Sequence, residues 1–218
     1  MKTLIKSGTI ITASDTYNSD LLIVDDKIAM IGPDLSAEGA ELVVADGKMI
    51  TPGGIDVHTH LELPFFGTVS SDDFYTGHKA AAFGGTTTHI DFAVQRQGES
   101  LHQAINNWHK KAGPKAVIDY GFHVAITDFT DEVMDEIPTI ASEGISSLKL
   151  FMAYKGLYQV DDSALFKTLM KAAEAGMVTM VHAENGDVEV HGDNRDVQAE
   201  REGPLVLRVK ALLGGVQR

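Results

Sequence analysis

The alternation of short apolar segments with longer helical patterns after Ile50 constrains the fold of this chain more than any other feature of its sequence. Candidate strands lie at residues 54–57, 86–92, 120–125, 147–151 and 178–182, and candidate helices lie between them at residues 73–83, 99–112, 131–143 and 162–175. Such alternation is typical of parallel βα units, in which helices cover the faces of the sheet. The pattern therefore predicts an α/β fold with a parallel sheet.

Five candidate strands are fewer than the eight of a complete (β/α)8 barrel, which usually needs ~250 residues. The whole chain has 218 residues, and its first part has a different texture. Residues 3–50 contain short alternating segments at 4–12, 20–24, 27–31 and 42–45, separated by turn residues. This texture predicts a small antiparallel β unit. We therefore expect an incomplete barrel preceded by a β unit.

The charge balance and the absence of cysteine exclude several classes of protein. Lys and Arg total 18 and Asp and Glu total 31, which gives a formal net charge of -13 and opposes binding to nucleic acid or to an anionic membrane. With no cysteine, a bound metal must use histidine, carboxylate or a modified side chain. The amino terminus lacks the pattern of a signal peptide, and no apolar run approaches the ~20 residues that span a bilayer. We expect a soluble cytoplasmic protein.

A pair of histidines at the end of the first candidate strand is a metal-ligand pattern. His58 and His60 follow the apolar residues Ile55 and Val57. In an extended strand, residues two apart point to the same face, so both imidazoles can reach one cation. The alternative is that the two histidines merely line a polar rim. The glycine-rich lead-in and the position at the carboxyl end of a strand, where barrel enzymes have their active sites, favour the metal site.

Two further residues lie at the same end of the predicted sheet. Lys149 stands inside an apolar strand, where an ammonium group is costly, so it must have a lowered pKa, find a counter-charge such as Asp91, or be chemically converted. A neutral lysine amine can add CO2 to form a carbamate that could bridge two metals. His182 ends another apolar strand. The alternatives are a lysine that reaches the rim and a structural histidine, and the joint occurrence with His58 and His60 argues against them.

Three segments together resemble one known family. They are PGGIDVHTHLELPFFGTVSSDDFYTGHKAAAFGGTTTHIDF, SSLKLFMAYKGLYQVDD and VHAENGD, in this order. Through them the chain is similar to dihydropyrimidinases and D-hydantoinases of the amidohydrolase superfamily, over residues 1 to about 187. The resemblance implies part of a (β/α)8 TIM-like amidohydrolase barrel, preceded by a β-sandwich segment. It divides the chain into the amino-terminal share of the sandwich at residues 1–51, the amino-terminal part of the metal-dependent hydrolase barrel at residues 52–186, and a divergent tail at residues 187–218.

The resemblance also implies a two-metal site. His58 and His60 would bind the first divalent metal, for which zinc is expected, a carboxylated Lys149 would bridge both metals, and His182 would bind the second. Tyr154, in the FMAYKG motif, would bind the ring carbonyl of the substrate and stabilise the developing oxyanion. A hydrophobic gate for the exocyclic substituent is also implied, with ordinary packing as an equal alternative, for Leu63, Phe65, Phe151 and Tyr158. We predict surface or packing roles for the other histidines: His78, His89, His102, His109, His123 and His191.

The function implied by the resemblance is metal-dependent hydrolysis of cyclic amides, either hydantoins or dihydropyrimidines, to N-carbamoyl amino acids. A hydroxide that bridges the two metal ions would attack the amide carbonyl. The alternatives are an allantoinase-like or dihydroorotase-like hydrolase and a non-catalytic scaffold protein of the same fold. Retention of the candidate metal ligands favours an enzyme. In the intact family the partners would be a small cyclic-amide substrate and further copies of the chain, in a homotetramer or homodimer.

The family pattern ends after Gly186 or Val188. From there the sequence is polar, and the second-metal histidine and the aspartate that the family has on later strands cannot be assigned. A truncated gene product or a shifted reading frame would explain the change, and the abrupt loss of βα texture favours the second explanation. We therefore expect impaired activity from this chain alone.

Overall fold

The computed structural model describes residues 1–65 and 67–186, and the chain divides into two compact units, Met1–Gly54 and Ile55–Arg218. The predicted divergent tail, including His191, lies outside the described residues. Within the described ranges, no helix combines the length and the apolar character needed to cross a bilayer.

The first unit is a five-stranded sheet. Its strands are β1 (Lys2–Ile11), β2 (Thr16–Val24), β3 (Lys27–Gly32), β4 (Glu41–Val44) and β5 (Met49–Ile50). β1 pairs antiparallel with β2, and β2 with β3, but β4 and β5 both run parallel to β1. The prediction of an antiparallel unit is therefore wrong for these two strands. Tight turns connect β1, β2 and β3, whereas the longer segment between Gly32 and Glu41 takes the chain to the other side of β1, where β4 runs parallel to it.

The second unit is built from alternating strands and helices. Its elements in chain order are β6 (Gly54–Thr59), β7 (Pro64–Phe65), β8 (Thr68–Val69), α1 (Phe74–Phe83), β9 (Thr86–Val94), α2 (Leu101–Ala112), β10 (Asp119–Ala125), α3 (Asp131–Ser142), β11 (Ser147–Phe151), α4 (Asp162–Glu174) and β12 (Val178–His182). The main sheet has the order β6-β9-β10-β11-β12, and β9 to β12 are parallel. Sequential strands with intervening helices are the pattern of a (β/α)8 barrel, and the described strands form part of one. The predicted fold class is confirmed.

Short polar side chains begin the four helices that the structure describes in the second unit. Each accepts a hydrogen bond from a backbone N–H in the first turn: Asp73 from Thr76, Ser100 from Gln103, Thr130 from Val133, and Asp161 from Ala164. Such caps satisfy N–H groups that have no partner inside the helix. After α3 and α4 the chain reverses at Gly144 and Gly176, whose φ angles of 100° and 70° are costly for other residues. Each of these helices therefore has a local start signal, and three have a local stop signal, since Gly85 after α1 also has a positive φ, of 86°.

Two clusters of buried apolar side chains stabilise the second unit. One packs helices α2, α3 and α4 against the sheet, and its fully buried members include Leu101, Val124, Ile126, Ile137, Ile140, Leu148 and Leu150. The other includes Leu61, Phe74, Phe92, Trp108, Phe122 and Phe151. Every residue of β11 is buried. A lysine on this strand is therefore surrounded by protein along its stem.

Candidate active site

Two imidazoles lie side by side at the end of β6. The ring centroids of His58 and His60 are 5.1 Å apart, and both rings pack against Phe92 of β9, at 4.7 and 4.9 Å. Both histidines keep substantial exposure to solvent. The extended backbone explains their proximity, because alternate residues of a strand share one face. The two histidines of the His-x-His pattern therefore lie on the same face of the strand, with their rings in contact.

The surroundings of His60 favour the neutral imidazole. Partial desolvation lowers the pKa of His60, the charge of Asp91 opposes this effect, and the positive charges of His58 and Lys149 add to it. An imidazole must be unprotonated to bind a metal ion. His60 is therefore available as a ligand over a wider pH range than a free histidine.

Lys149 lies against the same phenylalanine. It is on β11 with 8% of its surface exposed, and its Nζ atom is 6.0 Å from the ring centroid of Phe92 and 5.3 Å from that of Phe151. Burial lowers the pKa of Lys149. Asp91, the counter-charge considered from the sequence, is hydrogen-bonded to other groups. The lowered pKa increases the fraction of neutral amine, which is the form that reacts with CO2.

His182 lies at the end of β12, which is the last strand of the described sheet. In the parallel register it is paired with Phe151, and its ring centroid is 6.0 Å from that of Phe151 and 5.3 Å from that of Tyr154. Its Nε2 atom is 2.9 Å from a carboxylate oxygen of Glu184. Phe151 is thus in contact with both Lys149 and His182.

The donor chemistry of this region fits a divalent metal ion. Zinc accepts imidazole nitrogens and carboxylate-type oxygens as ligands and needs no thiolate. Among residues 1–65 and 67–186, no three His, Asp or Glu side chains are arranged to hold a metal ion by themselves. A metal held by His58 and His60 would therefore need a further donor. A carboxylated Lys149 could supply it, because Lys149 lies against the same Phe92 ring as the two histidines.

The backbone of Tyr154 adopts the left-handed conformation, with φ at 64°. This conformation costs a non-glycine residue about 1–3 kcal/mol and is concentrated at functional sites. The Tyr154 carbonyl accepts hydrogen bonds from the N–H groups of Leu157 and Tyr158, both at 3.0 Å. A hydrogen-bonded turn after β11 therefore maintains the strained backbone conformation.

The residues predicted as a hydrophobic gate form an aromatic cluster with Tyr154. Phe65 lies 5.7 Å from Tyr154 and 5.9 Å from Tyr158, and Phe151 lies 5.3 Å from Tyr158, measured between ring centroids. Leu63 packs against the same buried cluster as Phe151. The phenol of Tyr158 donates a hydrogen bond at 3.3 Å to the Pro64 carbonyl at the start of β7, and burial raises the pKa of Tyr158. Strand β7 and the turn after β11 therefore meet at one apolar surface.

Two polar residues contact β6 in roles that the sequence did not predict: Asp91 was considered only as a counter-charge for Lys149, and His123 only as a surface or packing residue. Asp91 on β9 is fully buried and accepts hydrogen bonds from the end of β6. His123 on β10 donates from Nε2 to the Val57 carbonyl at 2.9 Å, and its Nδ1 accepts from the hydroxyl of Ser147. A carbonyl only accepts, so Nε2 must carry a proton, and because burial lowers the pKa of His123 the neutral imidazole with Nδ1 as acceptor is favoured. The available signal was a polar residue inside an apolar strand, as for Lys149.

Four other histidines have packing or surface positions, although Nε2 of His89 lies 3.8 Å from a carboxylate oxygen of Asp91. His78 and His89 are buried with ring centroids 4.3 Å apart. His102 forms an ion pair with Glu136 at 3.1 Å, which raises the pKa of the imidazole, and His109 is exposed on α2. Surface or packing roles remain the interpretation of these four residues.

Comparison with known proteins decides the family. A model of the Amidohydrolase family matches residues 49–205 of the chain. This chain belongs to the amidohydrolase family. Amidohydrolases generally use divalent metal ions, in agreement with the donor set described above. The matched range begins a few residues before the second unit, includes all of that unit up to residue 186, and extends into the segment at residues 187–218.

Individual relatives narrow the comparison. This amidohydrolase is 58% identical over 189 residues to the D-hydantoinase of Geobacillus stearothermophilus, covering 86% of this chain and 40% of the relative. It is 40% identical over 207 residues to the dihydropyrimidinase of Rattus norvegicus, covering 92% of this chain and 40% of the relative. A crystal structure of a D-hydantoinase aligns with a TM-score of 0.88 at 55% identity, covering 91% of this chain and 43% of that chain. The chain thus spans about two-fifths of the length of these relatives.

Proposed function

We propose that this amidohydrolase provides metal ligands and substrate-binding residues for the hydrolysis of cyclic amides of the hydantoin or dihydropyrimidine class. The observation that supports the proposal most directly is the meeting of His58, His60 and Lys149 around one ring, that of Phe92. The 58% identity to a D-hydantoinase supports the choice of substrate class.

In this proposal, His58 and His60 would hold the first metal ion and His182 would hold the second. The neutral amine of Lys149 would add to CO2, so that an N–C bond forms and one proton leaves to water, and the resulting carbamate anion would supply oxygen ligands to the site. Divalent metal ions held there would polarise the amide carbonyl and provide hydroxide near neutral pH. The lowered pKa values of His60 and Lys149 favour the neutral forms that both steps require.

Tyr154 and the aromatic cluster bind the substrate in this proposal. The phenol of Tyr154 donates a hydrogen bond to the carbonyl oxygen as negative charge develops on it. Phe65, Phe151 and Tyr158, with Leu63, contact the exocyclic substituent of the ring. Addition of one water across the C–N bond opens the ring and gives an N-carbamoyl amino acid.

A zinc titration of the purified full chain tests the role of Lys149. Zinc affinity is measured by competition with a chromogenic chelator, with and without added bicarbonate as the source of CO2. We expect bicarbonate to increase the zinc affinity of the wild-type protein, and Lys149→Met to abolish that increase. Lys110→Met, which removes an exposed lysine of α2, is the control and should behave as wild type. Equal bicarbonate dependence in wild type and Lys149→Met would contradict the proposed carbamate.

A second arm of the same experiment addresses the substrate class. Zinc-loaded, mass-verified protein is incubated with hydantoin, dihydrouracil, allantoin or dihydroorotate, and ring opening is followed by ultraviolet absorbance. Among the described residues the ligand set for two metals is incomplete, so any turnover should be low and restricted to the first two compounds. Preferential opening of allantoin or dihydroorotate would overturn the proposed substrate class.

A further inference from the structure

We propose that Asp91 is a positioning residue that holds the His58-Thr59-His60 segment in the geometry needed for metal binding. The inference rests on the proposed function, because it takes His58 and His60 as metal ligands. Asp91 itself would touch neither metal nor substrate. It would act through the backbone and the threonine side chain at the end of β6.

The hydrogen bonds of Asp91 connect two strands and one helix. Its Oδ2 atom accepts from the Thr59 hydroxyl at 2.9 Å and from the Leu61 backbone N–H at 2.8 Å. Its Oδ1 atom accepts from the backbone N–H of Phe92 at 2.7 Å and from the indole N–H of Trp108 at 3.1 Å. The carboxylate is fully buried, with 0% of the residue surface exposed. Both oxygens therefore exchange water for fixed protein donors.

The two contacts to Oδ2 are one residue before and one residue after His60. Thr59 separates the two histidines, and Leu61 directly follows the second. Because alternate residues of an extended segment point in opposite directions, fixing Thr59 on one face also fixes the direction of the imidazoles on the other. Asp91 also accepts a hydrogen bond from the backbone N–H of Phe92, and the ring of Phe92 packs against both imidazoles. One carboxylate thus determines the position of both histidines relative to their common neighbour.

The helix layer holds the carboxylate from the other side. Trp108 of α2 is 4% exposed and donates to Asp91, and the Nζ atom of Lys111 lies 3.9 Å from the Trp108 ring centroid. Hydrogen bonds to a charged acceptor are about twice as strong as those between neutral groups. An Asn at this position would keep the shape of the side chain but lose the charge that strengthens these hydrogen bonds.

The test uses the full chain with three substitutions. Asp91→Asn keeps the shape of the side chain but removes its charge and one acceptor, and Thr59→Val removes the hydroxyl donor alone. Thr127→Val is the matched control, because the Thr127 hydroxyl also donates a buried hydrogen bond, to the Gln95 carbonyl at 2.8 Å. Amide hydrogen exchange at residues 57–62 reports on the segment without metal, and chelator competition reports on zinc affinity.

We expect faster exchange at residues 57–62 in both Asp91→Asn and Thr59→Val. Zinc affinity should fall about 10- to 100-fold in Asp91→Asn, the range typical for groups that orient metal ligands, and by a smaller factor in Thr59→Val. Thr127→Val should change neither measurement. A merely structural Asp91 would alter stability but leave zinc affinity per folded molecule unchanged, and that result would overturn the inference.

The inference and the proposed function fail in different ways. If the wild-type protein binds no zinc, the proposed function is contradicted. If zinc binds to wild type but exchange at residues 57–62 is the same in Thr59→Val as in wild type, the positioning role is contradicted and the function stands. Because Thr59→Val removes a single hydroxyl from a partly exposed residue, it keeps the test valid should Asp91→Asn fail to fold.

Discussion

Acidification from pH 7 to pH 5 is expected to destabilise the second unit through His78. This residue lies on α1 with 1% of its surface exposed, and its Nδ1 atom accepts a hydrogen bond from the Val117 N–H at 3.2 Å. Protonation would remove that acceptor and place a cation beside His89. Desolvation, reinforced by His89 and opposed by Asp91, lowers the pKa of His78 from 6.5 to about 4.

The sign and size of the effect follow from these two pKa values. Between them the unfolded chain binds a proton that the folded chain does not, so stability falls as the pH drops below 6.5 and the loss is complete below about 4. For one such group, the free energy of unfolding decreases by at most about 2 kcal/mol between pH 7 and pH 5. Domains of ordinary stability unfold at a cost of about 5–15 kcal/mol, so this loss is measurable.

Urea unfolding at the two pH values measures the effect directly. The chain has one tryptophan, Trp108, which is buried in the second unit, so its fluorescence follows the unfolding of that unit. Chelator is present throughout, so that metal loading does not change with pH. His78→Leu should lower stability at pH 7, because the Val117 N–H loses its acceptor, but it should also flatten the dependence on pH. The exposed His109, replaced by Gln, is the control and should retain the wild-type dependence.

The comparison between wild type and variant removes contributions from other histidines. His102, for example, has a pKa raised mainly by its hydrogen bond to Glu136, so its contribution to stability is complete below pH 6.5 and is lost as the pH rises through its folded pKa. That contribution is present in both proteins and cancels in the difference. If wild type and His78→Leu lose equal stability between pH 7 and pH 5, the reasoning about His78 is refuted.

Two further predictions concern stability, and urea unfolding followed by Trp108 fluorescence measures both. Ile137→Ala removes most of a fully buried side chain from the core between the helices and the sheet. It should lower the free energy of unfolding by about 2–5 kcal/mol. A loss below about 1 kcal/mol would show that neighbouring side chains fill the cavity. Thr130→Ala removes the side-chain cap of α3 and should lower the free energy of unfolding by about 1 kcal/mol. Thr130→Ser keeps a hydroxyl cap and should retain most of that stability. An equal loss of stability in the two variants would contradict the capping role.

Local signals explain why most elements of the second unit could be predicted from the sequence. Helix α2 was expected at residues 99–112 and extends over Leu101–Ala112, because Ser100 caps it and its apolar residues recur at helical spacing. Strand β11 has the same first and last residues as the predicted segment, because a short apolar run between turn residues is typical of a buried strand. These features depend on neighbouring residues and not on the rest of the fold.

Features that depend on distant residues were missed. The parallel pairing of β4 and β5 with β1 depends on the path of the connecting segments, about which alternating hydrophobicity contains no information. The short hairpin of β7 and β8 has two residues in each strand, too few for a periodic pattern. A charged residue in an apolar strand is unusual by itself, so the sequence alone indicates Lys149. The role inferred for Asp91 depends on its hydrogen bonds to Thr59, Leu61 and Trp108, which only the folded structure brings together.

The shared contact with Phe92 has a consequence for protein engineering. The ring of Phe92 packs against His58, His60 and His123, and its centroid is 6.0 Å from Nζ of Lys149. A change in ring size or tilt at this position would alter the clearance of all four groups together. Substitutions of single ligands should therefore have non-additive effects on metal affinity. Libraries that vary position 92 together with its neighbours are better suited to changing metal preference than libraries that vary one ligand at a time.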